Sequence, residues 1–161
     1  MEDLVFILPG VEEHPKQELV GSFAPIASLP MYEDKAIKWF ANDRCSRKAA
    51  RHIERKTGIN FERTRDISEA EIISRRGYPG NPLWAGVAAW AEDDPVWRLK
   101  TRRGKKYMST VLHEFCHALG MDHPYNHSET RDTIMSYNRD RSRAKLYPKD
   151  IDILTGLYIE G

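Results

Sequence analysis

Apolar and polar positions alternate in short runs through the middle of this chain and switch to helical spacing at three places. Residues 4–8 are a brief apolar run that Pro9 and Gly10 break. Residues 9–34 are rich in proline and charge and read as an irregular arm. Residues 36–40 alternate as a strand. Asn42 and Asp43 mark a turn, and Ser46 can cap a helix reaching about Thr57, with Ala49, Ala50 and Ile53 on one face. Gly58 ends it. Residues 59–64, 70–74, 83–91 and 96–100 read as four more strands, with a loop of glycines and prolines over 77–82. A second helix is expected over about 107–119, with Met108, Val111, Leu112, Phe115 and Leu119 as its buried stripe. Pro148 suits the first turn of a third. This order predicts an α/β (α+β) fold: a five-stranded, mostly parallel, twisted sheet carrying two helices, then a smaller C-terminal part with one helix.

The second helix carries the chemistry. Residues 113–123 read H-E-x-x-H-x-x-G-x-x-H. A helix turns ~100° per residue, so His113 and His117 lie within ~40° of each other, one turn apart. Two imidazoles on one face can reach one zinc ion. Glu114 points to one side of that face, where a carboxylate can act as a base without binding the metal. Gly120 can take the left-handed conformation that stops the helix and returns the chain, bringing His123 back as a third ligand. Three protein ligands leave a position open, the mark of a catalytic zinc.

Downstream, Thr133-Ile134-Met135-Ser136-Tyr137 follows a short polar connection. The extended zinc motif together with this turn resembles the metzincin clan of zinc endopeptidases. The serralysin-like (matrixin-related) branch is the most similar: it continues the third histidine as His-Pro, here His123-Pro124, and carries an Ile-Met-Ser-Tyr turn, here Ile134 to Tyr137. Close likeness covers about residues 107–158. The resemblance implies a zincin fold with a cleft between two lobes, and one catalytic domain over 1–161. Residues 1–34 would be the arm, 35–123 the upper lobe with the zinc helix, and 124–161 the lower lobe. It also implies roles. Met135 would pack under the histidines, and Tyr137 would ligate zinc at rest and stabilise the oxyanion during catalysis. Gly86, Val87, Ala88 and Ala89 would form a free strand edge that pairs with an extended peptide. The function so implied is a zinc-dependent endopeptidase using a zinc-activated water, with Glu114 as general base. The alternative is a catalytically inactive, zinc-stabilised module for peptide binding or assembly. Glu114 argues against it, since a structural zinc has no use for a base.

Composition narrows the rest. At 161 residues, 40% hydrophobic and 30% charged, the chain can bury one core without staples. A formal charge of +1 gives no bulk drive toward nucleic acid. Two cysteines make no disulfide framework; Cys116 reads as a buried free thiol and Cys45 as part of a polar turn. His14, His52 and His127 read as solvated. The expected cofactor is one catalytic Zn2+; calcium has no support in the sequence. The expected partner is an extended peptide or protein substrate, with no nucleic acid, no membrane and a monomeric state. No signal peptide or membrane span is visible, so the expectation is a cytoplasmic protein or one exported by a non-classical route. Asp3, Glu12 and Glu13 of the arm could cover the zinc and hold the enzyme latent.

Overall fold

A computed structural model describes residues 5–8, 12–13, 36–91, 94–124 and 131–159. Ten elements position the site. Strands β1 (Val5–Leu8), β2 (Glu12–Glu13) and β3 (Ile37–Ala41) precede helix α1 (Arg44–Thr57). Strands β4 (Phe61–Arg63), β5 (Ile72–Arg76), β6 (Gly86–Ala91) and β7 (Asp94–Thr101) follow, then helices α2 (Met108–Ala118) and α3 (Pro148–Tyr158). Strands β3 to β7 are the five that the alternation predicts.

The sheet is larger than expected, because β1 and β2 join it to give the order β2-β1-β6-β7-β5-β3-β4. Four of the six pairings are parallel; β1–β2 and β6–β7 are antiparallel. The apolar run at the start of the chain is thus a strand, not a segment apart from the sheet. An open strand edge offers a row of N–H and C=O groups, and β1 takes that row on β6.

Alternation selects the buried face. Ile37, Trp39 and Ala41 of β3, Ile72 and Ser74 of β5, and Trp97, Leu99 and Thr101 of β7 are all buried. Helix α1 packs over β3 to β5, and α2 over β6 and β7. Two details differ from the sequence reading of α1. Its cap is Asp43, whose carboxylate accepts from the Ser46 amide at 2.8 Å. Ser46 is instead buried, its hydroxyl 2.7 Å from that of Ser74 on β5. Cys45 falls inside this helix rather than in a turn. Gly58 closes it with φ 78°.

Helix α2 is not amphipathic as its apolar stripe suggested. Every residue from 109 to 118 is buried, while Met108 is only half-buried. The sheet covers one side. The segment after the methionine turn covers another, where the buried Arg139 donates to Ser136 O at 2.9 Å and to the Ser109 hydroxyl at 3.2 Å. A helix enclosed this way holds its side chains in fixed positions, which a metal site requires. No helix among the described residues is long and apolar enough to cross a membrane.

Candidate metal centre

The three histidines meet. His113 and His117 sit one turn apart on α2, and Gly120, with φ 105°, reverses the chain after it. His123 returns so that its Nε2 lies 3.1 Å from Nε2 of His117, which lies 3.2 Å from Nε2 of His113. Two nitrogens each ~2.05 Å from one tetrahedral ion would be about 3.3 Å apart.

The ring tautomers agree with a cation. Nδ1 of His113 lies 2.8 Å from Ile134 O, and Nδ1 of His117 lies 2.9 Å from Met121 O. A carbonyl only accepts, so each Nδ1 carries the proton, and in the neutral rings each Nε2 presents a lone pair. Lone pairs crowded at this spacing repel unless a positive ion lies between them. The donor set, three imidazoles, suits zinc. His123 has a carboxylate close by, Asp122 Oδ1 at 3.9 Å from its Nδ1, and that same oxygen accepts from the His123 amide at 2.7 Å.

The methionine turn supports the centre from the far side. Ile134, which accepts from His113, is held in turn by Asp150. One oxygen of that carboxylate accepts from the Thr133 hydroxyl, and the other accepts from the amides of Ile134 and Tyr147, each at 2.9 Å. Burial pushes the Asp150 carboxyl above its ordinary range, and these three donors oppose the shift. Met135 is fully buried, and the Tyr137 ring centroid lies 4.8 Å from that of His123 and 6.4 Å from that of His113. Tyr158, near the end of α3, donates its hydroxyl to Leu119 O and so ties that helix to the end of α2.

Glu114 is fully buried and lies against the start of β6. A Cβ on Gly86 would be 2.9 Å from Glu114 Oε2. The free strand edge that the resemblance implies for Gly86, Val87, Ala88 and Ala89 is absent at Ala88 and Ala89. They pair with Leu99 and Arg98 of β7 on one side and with Val5 and Phe6 of β1 on the other. Gly86 and Val87 pair with Thr101 and Lys100 and precede the register with β1. Glu12 and Glu13 lie in β2, separated from β6 by β1. Asp3, His14 and His127 lie outside the described residues.

Cys116 is a buried free thiol, as read, and burial pushes its pKa up; Cys45 is also free. His52 is not simply solvated: it is half-buried, and its Nε2 accepts from the Leu146 amide at 3.0 Å. Sequence reasoning missed Asp150, Thr133, Arg139 and the carbonyls of Met121 and Ile134. Only Asp150 had a visible signal, a carboxylate two residues into a helix that Pro148 opens.

A family model described as Matrixin, a peptidase family, matches residues 71–159, more than half of the chain. No curated protein matches the chain.

Proposed function

The chain belongs to the matrixin family of peptidases, and on that premise we propose that it is a zinc-dependent endopeptidase with Glu114 as its general base. His113, His117 and His123 would hold the metal. The observation that carries the reading is the convergence of their Nε2 atoms at 3.1 and 3.2 Å while two of the Nδ1 atoms are committed to carbonyls. Bound there, zinc supplies Lewis acidity, which polarises a peptide carbonyl and lowers the pKa of water toward ~7.

This chain's own groups do the rest. Glu114 takes a proton from the attacking water and delivers it to the leaving amine, so the C–N bond breaks without releasing an amide anion. Its burial against β6 keeps the carboxylate on the substrate side of α2. The Tyr137 hydroxyl, on a ring beside His123, donates to the oxyanion of the tetrahedral intermediate. Met135, buried in the turn beside Ile134, fills the space below the histidines. Asp150 fixes Ile134, and Ile134 fixes the orientation of the His113 ring.

The substrate is a peptide or protein in extended form. Its backbone would pair along β6 at Gly86 and Val87, and pairing further along would have to displace β1 from Ala88 and Ala89. Residues 1–161 then work as one catalytic domain, with 35–123 above the cleft and 124–161 below it. Metal analysis tests the ligand set. The purified chain should carry one zinc, and His117→Ala should lose it on dialysis. Retention of zinc by that variant at wild-type affinity would refute the assignment.

A further inference from the structure

Helix α1 carries a cationic stripe that the metal centre does not use. Arg44, Lys48, Arg51 and Arg55 recur at i, i+4, i+7 and i+11, so they fall within an arc of ~60° and span ~16 Å of helix. All four are exposed. They line two cavities that share Cys45, Lys48 and Met108. The larger, about 420 Å³, has Lys48, Arg51, Arg55 and Lys145 at its rim and Ala49, Met108 and Leu112 as apolar lining. The smaller, about 370 Å³, adds Arg44, Arg76 and Lys105. No carboxylate lines either one.

Nearby acids are occupied elsewhere. Glu54, the only acid within α1, accepts from the Phe61 amide at 3.3 Å, and Asp43 is committed to the helix cap. Among the described residues none of the four stripe cations forms an ion pair. The resulting field reaches His52, which is held below its ordinary pKa by burial first and then by Arg55, Lys56 and Lys145. Like charges at i,i+4 weaken a helix, and only Arg55, in the last turn, is favoured by the helix dipole, so folding stability does not account for the stripe as a whole.

We propose that this cation-rimmed, apolar-floored groove docks an acidic segment of the protein substrate, outside the bond that is cut. An extended strand rises ~3.3 Å per residue, so the stripe matches about five residues of such a segment. Carboxylates would meet the cations while apolar side chains two residues away, on the same face of the strand, enter the larger cavity. A nucleic acid would satisfy the charges, but no Phe, Tyr or Trp lines either cavity, and the one ring that does, that of His52, is half-buried and accepts from the Leu146 amide. A bilayer surface would not enter a concavity. The groove reaches α2 at Met108 and Leu112, and Leu112 directly precedes His113, so the docked segment lies against the helix that carries two metal ligands. The substrate assignment rests on the peptidase reading; binding of the segment does not.

The test uses the full chain and a short fluorescent peptide that repeats Glu-Ser-Leu-Ser, which places Glu and Leu on one face of an extended segment. Anisotropy should show binding that weakens with salt and at least about tenfold on Arg51→Glu with Arg55→Glu. Neutral replacements, Lys48→Gln with Arg51→Gln and Arg55→Gln, relieve repulsion within the helix and should fold, yet also lose the peptide. Replacing the leucines of the peptide by serine should weaken binding. Appending the segment to a cleavable peptide should lower KM several-fold in the wild type and in neither variant. Absence of binding, or tighter binding of a short single-stranded oligonucleotide or of anionic vesicles, would overturn the proposal. Binding that leaves KM unchanged would assign the segment to a different partner and overturn substrate docking. A chain that binds the peptide but cleaves nothing would instead refute the peptidase reading and, with it, the substrate assignment.

Discussion

Gly86 lies so close to Glu114 that a Cβ on it would meet Oε2 at 2.9 Å, with Cγ2 of Thr110 at 3.0 Å. The atoms it would meet are side-chain atoms, and the nearest is the end of a flexible one. Gly86→Ala should therefore fold, while moving the carboxylate. Misplacing a reacting group by ~1 Å can cost ~10²-fold in rate. The expected outcome is a kcat lowered roughly tenfold or more, with zinc retained and a stability loss of about 1–3 kcal/mol from the crowding. Unchanged kcat would show that the carboxylate is not held by this contact.

Asp150 accepts from Thr133, Ile134 and Tyr147 in the core. Asp150→Ala strands those three donors without solvent. A loss of about 2–4 kcal/mol is expected in denaturant unfolding of the zinc-loaded chain. Zinc affinity should also fall, since Ile134 orients His113. A variant as stable as wild type would remove Asp150 from the account.

These two contacts mark where sequence reading stopped. The three histidines and the helix stop at Gly120 depend on local spacing, so the chain displays them directly, and the methionine turn is legible through the metzincin resemblance. Five strands follow from period-two alternation, and α1 from its Ala49, Ala50 and Ile53 face. Long-range pairing leaves no such trace. The run at 4–8 carries no mark of its partner, so its addition to β6 and the loss of a free edge at Ala88 and Ala89 could not be read. The backbone acceptors for His113 and His117 have no side-chain identity to recognise. Gly86 reads in the sequence only as part of a strand edge, while its close neighbour is Glu114.

Tyr137 sits beside His123, with ring centroids 4.8 Å apart. If its hydroxyl serves the oxyanion, Tyr137→Phe should lower kcat about 10- to 10³-fold, change KM little and retain zinc. An equal change in KM with kcat intact would make the residue a substrate contact only.

His52 accepts a hydrogen bond through Nε2 from the Leu146 amide and is held below the usual value of 6.5, first by burial and then by Arg55, Lys56 and Lys145. Its proton is bound more readily by the unfolded chain. Its contribution is thus complete above pH 6.5 and is lost as the pH falls through the folded-state value. His52→Gln, which can still accept from Leu146, should flatten that part of the stability profile of the zinc-loaded protein. Superimposable acid limbs for wild type and variant would contradict this.

The central claim is that the metal centre performs hydrolysis, and Glu114 tests it most directly. The residue follows a ligand but need not bind the metal, so Glu114→Ala should leave the three imidazoles in place. Cleavage of a diverse peptide library is the measurement, made on wild type, on wild type with a chelator, and on Glu114→Ala with zinc content and melting temperature matched. The account predicts chelator-sensitive cleavage by wild type and a loss of ~10²-fold or more in the variant. Zinc-loaded wild type that cleaves nothing, or a variant that cleaves as well as wild type, would contradict it.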